Sequence, residues 1–331
     1  MGFKAQPIKV IKGPCFVKYG ANAFVTKGDV KVAFKGTYEK IPTGTGGNIG
    51  SMLVGMRADI TFSPREFTAL AALFAFKDWV AGQPIFSDAG GADEVLSIYS
   101  ASTSAAGKTD ELEFSRAGQT GFSALTLGVK ADPLADLTYT ALPNLRRGGL
   151  TDRGVLALET VIDAPFTVPA LVPANIMRIP AIGKIGDIYF DMDDGAQITF
   201  NVPTTEDSTC RTGVHNLICG DIEVSAQLKA KNISESDWRS IAKLYGTTAL
   251  GGVLGLTAPD LILRGAKAGD YQFTLPRAEC DTDKELLFSR TENRFGALTF
   301  NSYGDDAGKR FLVALAAADV AFDDLAPLPA A

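Results

Sequence analysis

Apolar and polar residues alternate with period two over several short stretches of this chain, a pattern that buries one face of a β-strand. Val54, Met56, Ala58, Ile60 and Phe62 make one such run, and Ile222, Val224, Ala226, Leu228 and Ala230 make another. Two short apolar segments around a glycine precede each run. Phe24-Val25 and Val30-Lys31-Val32-Ala33-Phe34 flank Lys27-Gly28-Asp29, while Ile188-Tyr189-Phe190 and Gln197-Ile198-Thr199-Phe200 flank Asp193-Asp194-Gly195. Both predict hairpins, because glycine at a bend accepts positive φ and the flanking β-branched and aromatic residues suit a pleated sheet. Residues 35–51 and 201–220 carry no alternation and are rich in polar residues, which predicts two long loops of the kind that bind something or are mobile.

The period then lengthens. Ser63 with Pro64 and Glu66, and Ser234 with Asp237, are helix starts, since the hydroxyl can accept from an orphan backbone N–H and the acid sits at the positive end of the dipole. Phe67, Leu70, Leu73 and Phe74 form one helical stripe, and Trp238, Ile241, Leu244 and Tyr245 form its counterpart. β-type segments return at 95–99, 112–114 and 122–129, and again at 271–275, 285–288 and 297–300.

These parallels amount to a repeat. Pro14, Gly20, Phe24 and Phe34 recur as Pro180, Gly186, Phe190 and Phe200, each displaced by 166. The helical stripes are displaced by 171, which places an insertion in the second long loop. Leu112-Glu113-Phe114-Ser115-Arg116 matches Leu286-Leu287-Phe288-Ser289-Arg290 at 174, and Phe122 to Leu127 matches Phe295 to Phe300 at 173. The expected fold is mainly β: residues 1–141 and 174–331 as two tandem β-sandwich or barrel units, each with one flanking α-helix, joined by a proline-rich connection at 142–173.

Composition narrows the function. The chain has 331 residues, 46% hydrophobic and 21% charged, enough for a large core. Its net charge of -6 argues against a protein that grips nucleic acid over its surface. No apolar run reaches membrane length, and the opening Met1 to Gln6 leads into no signal segment, so a chain without membrane anchor or export is expected. Gln6 also stands where a myristoylation motif needs Ser or Thr.

Residues with chemical potential read as structural. His215 is the only histidine, and Cys210-x8-Cys219 around it lacks the short spacing of zinc pairs. Cys15 and Cys280 complete a set of four cysteines too sparse for a disulfide framework. Asp191-Met192-Asp193-Asp194-Gly195 departs from a calcium loop, with Val202 where the bidentate acid belongs. The glycine-rich stretch at 43–50 lacks the lysine of a phosphate loop, and Asp305-Asp306 and Asp323-Asp324 read as turn acids. No catalytic, cofactor-binding or metal-binding residue is assigned, and a non-enzymatic protein is expected.

One resemblance gathers these features. Gly13-Pro14, Tyr19-Gly20, Phe24 and Lys27-Gly28-Asp29-Val30-Lys31-Val32, then a long loop, a strand and Ser63-Pro64-Arg65-Glu66-Phe67, resemble the major tail tube proteins of long-tailed, siphovirus-type bacteriophages. The second copy repeats that plan. The resemblance implies a virion protein, made in the host bacterial cytoplasm, that assembles with itself into trimeric, pseudo-sixfold rings. The rings stack into a tube through which DNA passes without specific binding. It also implies contacts with tail-tip, terminator and tape-measure proteins, with 35–51 and 201–220 as ring-to-ring loops and the bends at Gly28 and Gly195 as walls of the lumen. Another ring protein of the tail tip or baseplate is the near alternative. A carbohydrate-binding or hydrolytic β-sandwich is the distant one, because the aromatics that recur, Phe67 with Trp238 and Phe74 with Tyr245, fall on the stripe expected to be core.

Overall fold

The structure is a computed structural model that describes residues 15–43, 47–64, 76, 79–86, 94–100, 109–122, 124–127, 136–143, 158–162, 182–209, 213–231, 233–242, 257–281 and 296–320. The chain is mainly β. Its amino-terminal half contributes β1 (Cys15–Tyr19), β2 (Asn22–Val25), β3 (Lys31–Thr43), β4 (Gly47–Phe62), β5 (Glu94–Ser100), β6 (Thr109–Phe122), β7 (Ala124–Leu127), β8 (Leu137–Ala141) and β9 (Leu158–Ile162). The remainder contributes β10 (Ile182–Ile185), β11 (Ile188–Asn201), β12 (Thr204–Thr209), β13 (Gly213–Cys219), β14 (Glu223–Lys231), α1 (Glu235–Ala242), β15 (Leu261–Arg264), β16 (Tyr271–Leu275), β17 (Ala278–Cys280), β18 (Leu298–Ser302) and β19 (Leu312–Leu315).

Two large antiparallel sheets and a separate two-stranded ribbon, β12-β13, result among the described residues. The first runs β2-β1-β5-β6-β8-β4-β3, with β9 added to β6. It curls back on itself, since Thr26 bridges Pro64 and the Lys27 N–H donates to the Ser63 carbonyl at 2.8 Å, returning the end of β2 to the end of β4. The second runs β17-β18-β14-β11-β10-β15-β16-β19 and also turns back, because Pro276 and Arg277 alone separate β16 from β17. The strand β7 leaves the first half and pairs with β11 of the second sheet, Ala124 to Leu127 lying opposite Thr199 to Ala196.

The ladders of the two sheets correspond pair by pair. Phe16↔Val25 through Tyr19↔Asn22 becomes Ile182↔Asp191 through Ile185↔Ile188 on adding 166 to each residue. The same offset converts Lys31↔Thr61 through Lys35↔Arg57 into Gln197↔Gln227 through Asn201↔Glu223. Further along the chain it falls to 165 for β5 against β15 and to 161 for β6 and β8 against β16, β17 and β18. At β9 against β19 it is 154.

Alternation places the core as expected: Ala58, Ile60 and Phe62 on β4 and Val224, Ala226, Leu228 and Ala230 on β14 are all buried. Both sheets feed one apolar cluster. At its junction the Phe200 ring meets Phe76, Phe122 and Phe311 at centroid separations of 5.1, 5.2 and 4.8 Å. Such edge-on contacts between aromatic quadrupoles add to the burial of the rings.

Helix α1 begins as predicted. The Asp237 N–H donates to Ser234 Oγ at 3.1 Å, and that hydroxyl donates to the Asp237 carboxylate at 2.6 Å. Trp238 and Ile241 are buried. The stripe Phe67, Leu70, Leu73 and Phe74, together with Glu66, Leu244, Tyr245 and the strand at 285–288, lies outside the described residues. Ser63 itself donates to Asp136.

Several expectations are corrected. The bend at Gly28 closes no hairpin, because β2 pairs with β1 across Gly20 (φ 56°) and β3 pairs with β4. A glycine of positive φ followed by a residue of ordinary φ is the tight type II′ pattern that suits strand twist, and Gly186 (φ 57°) repeats it. Gly195 (φ 92°) sits in a bulge within the single strand β11, where the register slips between Met192 and Ala196. The two long loops are paired ribbons, described below, and they carry no insertion relative to one another, since the offset of 166 runs unchanged through both and on to Phe62 and Leu228. The presumed connection at 142–173 contains β9, which pairs with β6. The Phe122 and Phe295 blocks occupy different places, since β7 joins β11 whereas β18 joins β14 and β17. By its ladders β18 corresponds to β8, and Leu112 and Phe114 correspond to Phe273 and Leu275, so the matches at 173 and 174 reflect shared strand vocabulary.

Candidate assembly surface

The segments read as loops are two β-arms. The outer parts of β3 and β4 form the first, with Tyr38↔Leu53, Lys40↔Ser51, Ile41↔Gly50, Pro42↔Asn48 and Thr43↔Gly47 in register. The second is β12 with β13, paired as Thr204↔Cys219, Glu206↔Leu217, Asp207↔Asn216, Ser208↔Val214 and Thr209↔Gly213. An offset of 166 relates every one of these pairs. It also relates the bulges, which leave Ile49 unopposed in the first arm and His215 unopposed in the second.

Cross-strand partners share a face. One face of the first arm continues the core side of β4 outward through Phe34, Met56, Tyr38 and Leu53. Gly36 lies beneath Tyr38 and Leu53, each with an atom 3.0 Å from where a Cβ would stand. Phe34 is 56% exposed, Tyr38 64% and Ile49 75%, with Ile41, Met52 and Leu53 also open to solvent. Exposed apolar side chains gathered on one arm, even spread over its two faces, are characteristic of a contact surface. The opposite face is ionic at its base, where Lys35 Nζ lies 2.5 Å from Asp59 and Arg57 lies 3.7 Å from Asp59.

The second arm is folded down onto that ionic face. Glu206 accepts from Arg57 Nη1 at 2.5 Å. Val214 Cγ2 occupies the space above Gly55, 2.8 Å from where a Cβ would be, so glycine there makes the approach possible. Residues 82–86 run alongside β13 like an added strand: Ile85 N–H donates to Leu217 O at 2.8 Å and Cys219 N–H to Gln83 O at 2.9 Å. Asn216, almost fully buried, completes the clamp. Its Nδ2 donates to Phe86 O at 2.8 Å, and its Oδ1 accepts from the N–H groups of Phe86 at 3.0 Å and Leu217 at 2.9 Å. Arg116 donates to the His215 carbonyl at 2.8 Å while stacking over the Phe86 ring at 5.3 Å. Phe86, Leu142, Val214 and Leu217 close a small apolar cluster under the arm.

The residues singled out for chemistry are scattered. His215 Nε2 lies 3.4 Å from Asp207 at the arm's bulge, and Cys210 lies outside the described residues. Cys219 is buried beside Gly220, where burial and then the Asp221 carboxylate push its thiol upward. Cys280 is buried elsewhere in the core. Asp305 orders its own turn by accepting from the Ala307 and Lys309 N–H groups, and Asp306 pairs with Arg277. Asp323 and Asp324 lie outside the described residues. Among the described residues no group of three or more His, Cys, Asp or Glu converges as metal ligands would.

Sequence reasoning missed Asn216, Arg116 and Gly55 as arm-docking residues. The one available signal was Asn216 between the apolar Val214 and Leu217, a polar residue whose burial requires partners. No protein-family model matches the chain, and no curated protein matches it in sequence.

Proposed function

We propose that this chain is a structural subunit of the tail tube of a long-tailed bacteriophage, three molecules closing a pseudo-sixfold ring and rings stacking into a passive conduit for DNA. One observation carries the reading: a sheet edge that is filled once and, among the described residues, open once. In the second sheet β7 covers β11 at Ala196 to Thr199. The positions 166 residues earlier are Val30, just before β3, and 31–33 at the start of β3, the terminal strand of the first sheet among the described residues.

The matched ladders support a duplicated unit, and a duplicated unit makes those two edges quasi-equivalent. An unpaired edge is a template for another strand. The strand that fills the β3 edge then comes from the second half of another molecule, as β7 comes from the first half of this one. A contact of this donor-to-acceptor kind is heterologous, so identical chains follow one another head to tail and close when the rotation allows. Three chains supply six units. The apolar first arm provides a second contact surface, and the net negative charge suits a wall along which DNA slides.

The purified chain, examined by size exclusion and negative-stain microscopy, is expected to give rings or open-ended tubes whose cross-section shows six lobes. A single molecule that stays monomeric at every accessible concentration overturns the reading.

A further inference from the structure

Resting on that reading, we infer that the first arm seats on a second copy of the chain at a defined place, the surface of the carboxy-terminal half built from Glu223, Arg277 and Tyr303. The template is the contact already made within the molecule. There the second arm lies on the amino-terminal half through the ion pair of Glu206 with Arg57, the bond from Arg116 to the His215 carbonyl, and the packing of Leu142 against Val214 and Leu217.

The ladder offsets translate each device. Glu206 becomes Lys40 and Arg57 becomes Glu223, so both members change sign together and the attraction is kept. Arg116 becomes Arg277, and His215 becomes Ile49, whose backbone carbonyl serves as well as any other. Leu142 becomes Tyr303 and Leu217 becomes Ser51, an apolar pair replaced on both sides by hydroxyls that can bond one another. A change on one side alone would leave a repulsion or an unpaired group.

These residues are placed to receive a partner. Lys40, Ser51 and Glu223 are exposed, and Tyr303, in the place of the fully buried Leu142, is 40% exposed. Glu223 accepts from Asn201 Nδ2 at 2.9 Å across its own ladder and still faces solvent. Arg277 holds the exposed Asp306 through Nη2, and a guanidinium carries further N–H donors for a carbonyl. The same surface adjoins a cleft of about 180 Å³ lined by Asp221, Ile222, Tyr303 and Arg310.

Charge reversal tests the pairing. Lys40→Glu and Glu223→Lys are made singly and together in the full chain, and the critical concentration for assembly is read by sedimentation and light scattering. Like charges set opposite one another in an interface are strongly unfavourable, so each single change is expected to raise the critical concentration about tenfold or more. The double variant, with the pair restored in reverse, is expected to return to within roughly threefold of the parent, and that recovery also shows that the substituted chains fold. Single variants that assemble like the parent, or a double variant no better than the worse single, overturn the docking site while the parent's assembly leaves the tube reading standing. A parent chain that never assembles removes both.

Discussion

Replacing Asn216 by alanine should release the second arm from the body of the molecule. The side chain makes three hydrogen bonds, all to backbone groups of the buried residues Phe86 and Leu217. Two of them, both to Phe86, cross the seam, while the third lies within the arm. A buried hydrogen bond contributes about 1 to 1.5 kcal/mol net, so with its partner groups left unsatisfied the substitution should weaken docking by about 3 kcal/mol. About 3 kcal/mol corresponds to a change of roughly a hundredfold in an opening equilibrium. Hydrogen–deuterium exchange reads that equilibrium at the amides of Ile85 and Cys219, whose carbonyl partners lie across the arm's seam. Both should lose protection by about that factor, while the amides of β14 keep theirs. Asn216→Asp preserves shape and both acceptor bonds but sets a carboxylate oxygen against the Phe86 carbonyl, so it should also release the arm. Unchanged exchange at Ile85 and Cys219 in the alanine variant would refute the clamp, and equal loss throughout β14 would show that the arm does not open on its own.

Other consequences are simpler to state. Phe200→Ala removes the ring shared by three aromatics at the junction of the two sheets and should cost about 3–5 kcal/mol; calorimetry should show one transition in parent and variant alike, and two separate transitions would contradict a shared core. Gly55→Ala puts a methyl into Val214 and should expose the seam to exchange much as Asn216→Ala does, with no effect on α1. Ser234→Ala removes the acceptor for the Asp237 N–H and should lower stability by about 1 kcal/mol in urea titration. Burial, and then Asp221, hold the Cys219 thiol above its ordinary value of 9.0, so the folded state retains that proton more tightly than the unfolded one. The associated stability is complete below that ordinary value and is lost as pH climbs through the raised one. A thiol reagent at pH 9 should therefore modify Cys219 far faster in unfolded than in native protein, and equal rates would count against the burial.

What the sequence made legible was whatever has a period. Alternation on β4 and β14 located the two central strands because one face of each is dry, and the Ser234 cap located α1 because an orphan N–H needs an acceptor. The arms escaped notice because neither face of a ribbon such as Lys40 to Ser51 is uniformly apolar, so its strands carry no alternation even though Thr37, Tyr38 and Ile41 favour extended backbone. The bends at Gly28 and Gly195 were misread for a related reason. Glycine marks a turn, a bulge or a passage equally well, and only the identity of the partner strand distinguishes them. Repetition was visible in letters where the offset is constant, from Gly20 to Phe34. It failed where the ladders shorten to 161 and 154, because Leu, Phe, Ser and Thr recur in strands whatever their place. The docking residues were illegible, since Asn216 and Phe86 meet across 130 positions that no local pattern connects.

The lodging of β7 on β11 also governs how the molecule can be made and how its gene can change. During synthesis Ala124 to Leu127 leave the ribosome before Ala196 to Thr199 exist, so the early half must wait for the late one before its last strand finds a mate. Cutting the coding sequence between the halves would strand that segment and bare the margin it covers, yielding two sticky fragments instead of two working proteins.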